Sequence, residues 1–97
     1  MLDLSAEHLS VVKEILNDKV PNCPVWVFGS RIKGTAKRYS DLDLAIMTKQ
    51  PLTIRQLSEL EMAFSESDLP FKVDIIDWAS CSDNFKQCIL QQYEILI

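Results

Sequence analysis

The sequence predicts a small α+β protein in which a mixed sheet of three or more strands is flanked by helices. Amphipathic helical segments alternate along the chain with short, apolar, β-prone runs, which gives the order α-β-α-β-α-β-α. Of the 97 residues, 47% are hydrophobic and 25% are charged, so the chain can form one modest core and is not disordered. We therefore expect residues 1–97 to form a single domain. The alternation favours parallel strands, but it leaves the order and direction of the strands open.

The first half of the chain is predicted to contain a helix, two strands and the loop between them. Residues 5–19 form the helix, because Ser5 is a suitable N-cap and apolar side chains recur at helical spacing. A buried strand is expected over residues 25–28, followed by a loop with a short helix over about residues 30–38. Residues 41–47 are predicted to form the second strand. The apolar side chains of the helix are Leu9, Val12, Ile15 and Leu16.

The second half is predicted to contain a helix, a strand and a last helix. The first of these helices begins at Thr53, because Gln56 lies three positions further on and completes a capping box. Residues 71–77 follow as a third strand. The last helix is expected to begin at Ser80 or Ser82, and an unusually apolar tail ends the chain.

The charge of the chain argues against a protein that binds nucleic acid directly, and its hydropathy argues against a membrane protein. The net charge is −4, which does not favour binding to a long polyanion through a basic surface. No apolar run approaches the ~18–20 residues that a membrane-spanning helix needs. Several basic residues are nevertheless concentrated in one short stretch, which indicates a small anionic ligand. This stretch contains Arg31, Lys33, Lys37 and Arg38.

The three cysteines, Cys23, Cys81 and Cys88, are an odd number and include no C-x-x-C pair. A zinc site and a disulfide framework are therefore both disfavoured. The N-terminus also lacks the basic and apolar regions of a signal peptide. We expect free thiols and a cytoplasmic protein.

Both glycines of the chain lie in the segment 29–34, where the first predicted strand turns into a helical segment. Gly29 allows backbone conformations that other residues rarely adopt, and successive N–H groups in such a turn can bind phosphate oxygens. The hydroxyl of Ser30 can assist them. The alternative interpretation is a plain strand-to-helix turn in which Ser30 is the cap.

Three aspartates in the predicted strands form a candidate acidic site. Asp41 and Asp43 are two apart in a strand, so their side chains share one face. Adjacent carboxylates repel each other, and a hard cation such as Mg²⁺ relieves this repulsion; the alternative is a solvated face. Asp74 lies in the middle of an apolar strand and can join them if the two strands are neighbours. Asp77, at the end of that strand, is expected to cap the following turn instead.

The spacing of these residues resembles a known family signature. Gly29-Ser30, ten further residues, and then Asp41 and Asp43 match the G-S-x10-D-x-D pattern of the DNA polymerase β-like nucleotidyltransferase superfamily. Asp74 matches the third carboxylate of that family. The chain resembles the minimal nucleotidyltransferase (MNT) domains over nearly its whole length, and these include antitoxins encoded beside HEPN-domain ribonuclease toxins. The resemblance implies the nucleotidyltransferase fold, a mixed sheet flanked by helices.

The resemblance also implies transfer of AMP from ATP with the help of two Mg²⁺ ions. Asp41 and Asp43 would hold Mg²⁺ against the triphosphate, and Asp74 would bind the second ion and activate the acceptor hydroxyl. Gly29 and Ser30 would hold the β- and γ-phosphates. The basic residues expected to neutralise the phosphates are Arg31, Lys33 and Arg38.

A protein is the acceptor that the resemblance implies, because the short chain has no room for a domain that binds tRNA, DNA or an antibiotic. The expected acceptor is a tyrosine of a HEPN-type toxin encoded by a neighbouring gene, which this protein silences as its antitoxin. A homodimer or a hetero-oligomer is expected, with the apolar residues 93–97 as a candidate docking surface.

Two alternatives remain open from the sequence. The first is a non-catalytic antitoxin that blocks a toxin by contact alone. The second is an adenylyltransferase that modifies a small molecule such as an antibiotic, with an acceptor pocket completed by a homodimer.

Overall fold

The computed structural model describes residues 2–35, 37 and 40–97, and the helices and strands follow the predicted order with one strand added near the C-terminus. The helices are α1 (Ala6–Lys19), α2 (Ser30–Lys33), α3 (Ile54–Ser65) and α4 (Asp83–Gln91). The strands are β1 (Val25–Phe28), β2 (Leu42–Ile46), β3 (Val73–Asp77) and β4 (Glu94–Ile95), and a 3-10 turn covers Trp78–Ser80.

The helices begin at the predicted caps. The hydroxyl of Ser5 accepts a backbone N–H at the start of α1. Thr53 and Gln56 form the predicted capping box at the start of α3, with hydrogen bonds in both directions. Of the two candidates for the last helix, Ser82 is the N-cap of α4, whereas Ser80 belongs to the 3-10 turn. Each cap satisfies a backbone N–H that has no partner within its own helix.

The second helix is shorter than the sequence predicts. α2 ends at Lys33, because Gly34 adopts a left-handed conformation (φ 78°) and its N–H donates back to the carbonyl of Ser30. A glycine in this conformation is a common way for a helix to end. α2 therefore ends about five residues before the boundary that the sequence predicts near residue 38.

The strands form one mixed sheet in the order β3-β2-β1-β4. β1 is antiparallel to both β2 and β4, whereas β2 and β3 are parallel. The parallel arrangement that the alternation favoured is thus found only for β2 and β3, which α3 connects. The sequence does not predict β4, because a strand of two residues is too short for an alternating pattern.

The main core lies on the face of the sheet that packs against α1 and α3. Alternate residues of β1 and β2 point to this face and are fully buried, as the period of two requires. The buried cluster includes Val12, Leu16, Val25, Val27, Leu42, Leu44, Ile46, Leu60 and Phe64. One face of β2 is thus buried in the core, and Asp43 lies on the other face.

The opposite face of the sheet carries aromatic and acidic side chains. Phe28 of β1 is paired with Asp43 of β2, and Asp43 is paired with Asp74 of β3. The edge of the Phe85 ring, from α4, contacts the ring of Phe28 with a centroid distance of 5.8 Å. α4 therefore covers part of the same face on which the aspartates lie.

None of the described helices combines the length and the apolar character that crossing a membrane requires. Cys23, Cys81 and Cys88 are free thiols; Cys23 and Cys81 are partly buried and Cys88 is exposed.

Candidate active site

The turn between β1 and α2 has a backbone shape that only glycine fits. Gly29 has φ 83° and ψ −157°, which side-chain-bearing residues rarely adopt. A Cβ atom at this position would overlap the carboxylate of Asp43 on the neighbouring strand. The glycine thus allows the turn and the carboxylate to come close together, with Ser30 following as the first residue of α2.

The aspartates meet because of the strand register. Asp43 and Asp74 are direct partners across the parallel pair β2 and β3, so their side chains lie side by side on one face. Asp41 is exposed and lies one residue before β2. The structure therefore places Asp41, Asp43, Asp74 and Gly29 around the ends of three adjacent elements.

The pKa of Asp43 is shifted by its burial and by the charged groups around it. Burial raises the pKa of Asp43 to about 6, with further contributions from the negative charges of Asp74 and Asp41, while the positive charge of Lys33 lowers it. A carboxylate in this position is costly to ionise unless a cation is near. A bound cation would therefore stabilise the ionised carboxylate of Asp43.

A lysine offsets part of this negative charge. The ammonium group of Lys72 lies 3.3 Å from Oδ1 of Asp74. The hydrogen bond and the charge of Asp74 raise the pKa of Lys72 above its usual value, with Asp41 adding to the effect. The sequence showed that Lys72 and Asp74 share a strand face, but it did not identify this ion pair.

The carboxylates do not by themselves form a complete metal site. Among the described residues, no three or more His, Cys, Asp or Glu side chains are grouped so that they could hold an ion alone. Mg²⁺ is usually bound by one or two carboxylates together with water and substrate phosphates, so an acidic pair beside a candidate phosphate-binding turn fits its chemistry.

Asp77 occupies the N-cap position of the 3-10 turn, as the sequence predicts, but its side chain makes no capping hydrogen bond to the backbone of that turn. Its Oδ2 accepts the backbone N–H of Leu52 at 2.8 Å and the hydroxyl of Ser80 at 2.9 Å. These bonds join the end of β3 to the segment before α3 and to the 3-10 turn. Asp74, and not Asp77, therefore lies next to Asp43.

Arg31 has partners other than the phosphate that the sequence predicts. It is only 6% exposed, and its guanidinium donates from Nε (3.1 Å) and Nη2 (2.9 Å) to the carbonyl of Ser40. Nη1 donates to the carbonyl of Asp3 at 2.9 Å, and the guanidinium lies 4.3 Å from the ring centre of Phe71. Arg31 thus ties together three segments, one of which leads directly into Asp41.

The other basic residues are exposed or lie outside the described residues. Lys33, at the end of α2, is exposed and acts on Asp43 through its charge. Lys37 is also exposed, and its backbone N–H donates to the hydroxyl of Ser40 at 2.8 Å. Arg38, which the sequence predicts to contact phosphate, lies outside the described residues.

This constellation of a glycine turn, a serine and strand-borne aspartates agrees with a family model. The model for the polymerase beta nucleotidyltransferases matches residues 10–97. The chain belongs to this family. The predictions of a nucleotidyltransferase fold and of nucleotidyltransferase enzyme class are therefore confirmed, and a nucleotide is the expected substrate class.

The relatives of the chain include a curated protein and solved structures. The chain is 50% identical over 95 residues to a probable protein adenylyltransferase MntA of Haemophilus influenzae, covering 98% of this chain and 83% of that protein. A chain of a toxin–antitoxin crystal structure with AMP-PNP is 29% identical, with a TM-score of 0.78, covering 92% of this chain and 72% of that one. A structure of a tri-AMPylated Shewanella oneidensis HEPN toxin in complex with an MNT antitoxin matches with 26% identity and a TM-score of 0.69, covering 92% and 68% of the two chains.

Proposed function

We propose that this protein is a Mg²⁺-dependent protein adenylyltransferase that transfers AMP from ATP to a hydroxyl of a HEPN-type toxin and so acts as its antitoxin. The observation that carries the proposal is the register that pairs Asp43 with Asp74 directly beside the Gly29 turn. It brings an acidic pair and a candidate phosphate-binding turn to one place. The 50% identity to a probable protein adenylyltransferase supports AMP as the transferred group.

The nucleotide is bound on the Gly29 side of the site. Backbone N–H groups of the turn and the hydroxyl of Ser30 hold the β- and γ-phosphates, and Lys33 adds a positive charge nearby. Asp41, Asp43 and Asp74, with phosphate oxygens, would hold two Mg²⁺ ions. When bound, Mg²⁺ would neutralise the charge that develops on the phosphates as pyrophosphate leaves.

The acceptor approaches from the Asp74 side. Its hydroxyl oxygen forms a bond to the α-phosphorus of ATP while the bond from that phosphorus to the bridging oxygen breaks, and pyrophosphate leaves. The carboxylate of Asp74 accepts the proton of the hydroxyl. A tyrosine hydroxyl, with a pKa of about 10, loses this proton more easily than an aliphatic hydroxyl does.

A toxin partner fits the other properties of the chain. The relatives in solved structures include an MNT antitoxin in complex with a HEPN toxin that carries AMP groups. The free cysteines and the use of ATP suit the reducing cytoplasm. We therefore place the reaction in the cytoplasm, in a complex of the two proteins.

The test is transfer of label in vitro from ATP to the purified HEPN partner. With Mg²⁺ present, label from the α-phosphate of ATP should appear on the partner, whereas label from the γ-phosphate should not. Asp74→Asn should still bind ATP but lose most of the transfer, by about 10²-fold or more, because its role concerns the acceptor oxygen.

Asp68→Asn is the matched control, because Asp68 is exposed and lies outside the site. It should transfer AMP at the normal rate. A partner that is neutralised without gaining label would favour the non-catalytic antitoxin, and label found only in an added aminoglycoside would favour the small-molecule enzyme.

A further inference from the structure

Arg31 is a buried charged side chain to which the proposed reaction gives no part. It is 6% exposed and follows directly after Gly29 and Ser30 of the candidate phosphate-binding turn. A guanidinium group is stable in a buried position only where its N–H groups find acceptors. The acceptors of Arg31 therefore indicate which parts of the site it holds in place.

The guanidinium of Arg31 holds the residue that precedes Asp41. Nε and Nη2 both donate to the carbonyl oxygen of Ser40, at 3.1 and 2.9 Å. The backbone N–H of Ser40 donates to the carbonyl of Lys37 at 3.1 Å, and its hydroxyl accepts the backbone N–H of Lys37 at 2.8 Å. Every polar group of Ser40 thus has a partner. Arg31 supplies the partner for the carbonyl that belongs to the peptide bond with Asp41.

Asp41 gains from this support because it lies outside the sheet. It is exposed and precedes β2, whose first residue, Leu42, donates its N–H to the carbonyl of Lys72 at 2.9 Å. On its other side, the planar peptide bond from Ser40 is held through the carbonyl that Arg31 binds. Asp41 is therefore the single residue between two held peptide groups, and the direction of its side chain depends on both.

The same guanidinium contacts two further segments. It lies 4.3 Å from the ring centre of Phe71, two residues before β3 begins at Val73. Nη1 donates to the carbonyl of Asp3 at 2.9 Å, and the N–H of Asp3 donates back to the carbonyl of Arg31 at 2.8 Å. Arg31 thus connects the Gly29 turn with the segments that lead into Asp41 and into β3. A planar guanidinium with five donors can make such contacts together, whereas an ammonium group cannot reproduce them.

We propose that Arg31 is a positioning residue that sets the direction of the Asp41 carboxylate relative to the Gly29 turn. It contributes in this way to metal binding without touching the metal ion or the phosphates, which is a different role from the phosphate contact that the sequence predicts. This inference rests on the proposed role of Asp41 as a ligand of Mg²⁺. Groups that orient a metal ligand typically contribute about 10–100-fold to metal affinity.

The first test measures metal affinity rather than transfer. Mn²⁺, which also prefers oxygen ligands, is titrated in the presence of a non-hydrolysable ATP analogue and followed by electron paramagnetic resonance. Arg31→Lys keeps the charge but loses the planar group, so its Mn²⁺ affinity should fall about 10-fold or more.

Val12→Ala is the matched control for this measurement. Val12 is a fully buried core residue of α1 that takes no part in these contacts, so its truncation lowers stability alone. Thermal unfolding identifies a temperature at which both variants are folded. Equal Mn²⁺ affinities of Arg31→Lys and Val12→Ala at that temperature would overturn the proposal.

The second test asks whether Arg31 acts through Asp41. Asp41→Asn should itself weaken Mn²⁺ binding, and adding Arg31→Lys to this variant should weaken it by less than about twofold more, because the two changes affect one ligand. A further 10-fold loss in the double variant would indicate a separate contact of Arg31, such as a direct bond to phosphate, and would overturn the proposal.

Ser40→Ala provides a second variant in case Arg31→Lys does not fold. It removes the hydroxyl that accepts the N–H of Lys37 and leaves the buried guanidinium in place. Its Mn²⁺ affinity should fall about threefold, the effect of one net hydrogen bond, and an unchanged affinity would overturn the proposal. None of these measurements needs the partner protein. Normal Mn²⁺ binding by the unchanged protein without transfer of label to the HEPN partner would overturn the proposed function instead.

Discussion

Asp43 combines two properties that oppose each other in a folded protein without metal. It is half-buried and it faces two other carboxylates, which together raise its pKa to about 6 from an ordinary value near 3.8. Because the folded protein binds this proton more tightly than the unfolded chain does, Asp43 favours folding at low pH. This contribution is lost as the pH rises towards 6, and above pH 6 the ionised carboxylate destabilises the metal-free protein.

Replacing Asp43 should therefore make the metal-free protein more stable at neutral pH. We expect Asp43→Asn to raise the free energy of unfolding at pH 7.5 by about 1 kcal/mol, a value reduced from the full shift because solvent screens a half-exposed group. Near pH 4 the difference should disappear, since Asp43 is then largely protonated in the folded state. Urea denaturation with EDTA at both pH values measures this.

The same variant should also lose the response to metal. Mg²⁺ with an ATP analogue should stabilise the unchanged protein and Asp68→Asn, but stabilise Asp43→Asn much less. A metal-free Asp43→Asn protein that is less stable than the unchanged one at pH 7.5 would show that the carboxylate is already neutralised within the protein, against the role given to it here.

The contacts of Arg31 could not be predicted from the sequence pattern. Arg31 lies in a basic stretch beside the candidate phosphate-binding turn at Gly29, and that position predicts a phosphate contact. In the structure its guanidinium is buried and donates to the carbonyls of Ser40 and Asp3. The carbonyls that bind it are far away in sequence or belong to irregular backbone, so no local pattern marks them. The ion pair of Lys72 with Asp74 was missed for a related reason, since the alternation predicts a shared face but not which groups touch.

We expect Arg31→Met to lower the free energy of unfolding by about 2–3 kcal/mol, because it leaves partly buried carbonyls without their donors. Arg31→Lys should recover only part of this, since one ammonium group does not reproduce a planar guanidinium with several donors. Arg55→Met is the control: Arg55 is exposed and pairs with Glu59 at 3.3 Å, so its loss should change stability by less than about 0.5 kcal/mol. Equal, small effects of Arg31→Met and Arg55→Met in urea denaturation would rule out the structural role.

At the level of elements, the turn between β1 and α2 makes the site possible. Gly29 and Gly34 both have positive φ, at 83° and 78°, but only Gly29 lies against another group, the carboxylate of Asp43. Gly34 therefore shows the effect of the positive φ alone, whereas Gly29 combines a positive φ with a close approach to Asp43. This pair offers a controlled comparison within one short segment.

Gly34→Ala should cost about 1–2 kcal/mol of stability, from the left-handed backbone alone, and leave binding of Mg²⁺ and ATP unchanged. Gly29→Ala should cost about 1–3 kcal/mol and also abolish that binding, because the added Cβ atom displaces the Asp43 carboxylate. Stability is measured by urea denaturation and binding by calorimetry. Binding that survives Gly29→Ala would mean that the approach of Gly29 to Asp43 has no part in the site.

The helices and three of the four strands were predictable because each has its own local signal. The capping box at Thr53, the alternation in β2 and the apolar run of β1 all act over a few residues. β4 and the end of α2 were not predicted, since a two-residue strand has no pattern and Gly34 can either continue a loop or end a helix. The direction of the strands was open, because it depends on contacts between segments that are distant in the sequence.

For the whole molecule, the site depends on the mixed topology of the sheet. The end of β1 lies beside the start of β2, because these two strands are antiparallel. The start of β3 also lies beside the start of β2, because these two strands are parallel. Gly29, Asp43 and Asp74 come from three different segments and meet at one end of the sheet for this reason. The spacing of these residues identified the family, while the mutual positions of the residues followed only from the structure.

The central claim is that this acidic pair transfers AMP to a partner toxin, and the intact mass of that partner tests it most directly. The HEPN toxin is co-expressed with the unchanged protein, with Asp43→Asn and with the control Asp68→Asn, and is then purified and weighed by mass spectrometry. We predict one or more added AMP units, mapped to tyrosine, with the unchanged protein and with Asp68→Asn, and none with Asp43→Asn. A toxin that gains no mass in any of the three, yet is silenced equally well by all of them, would contradict the account.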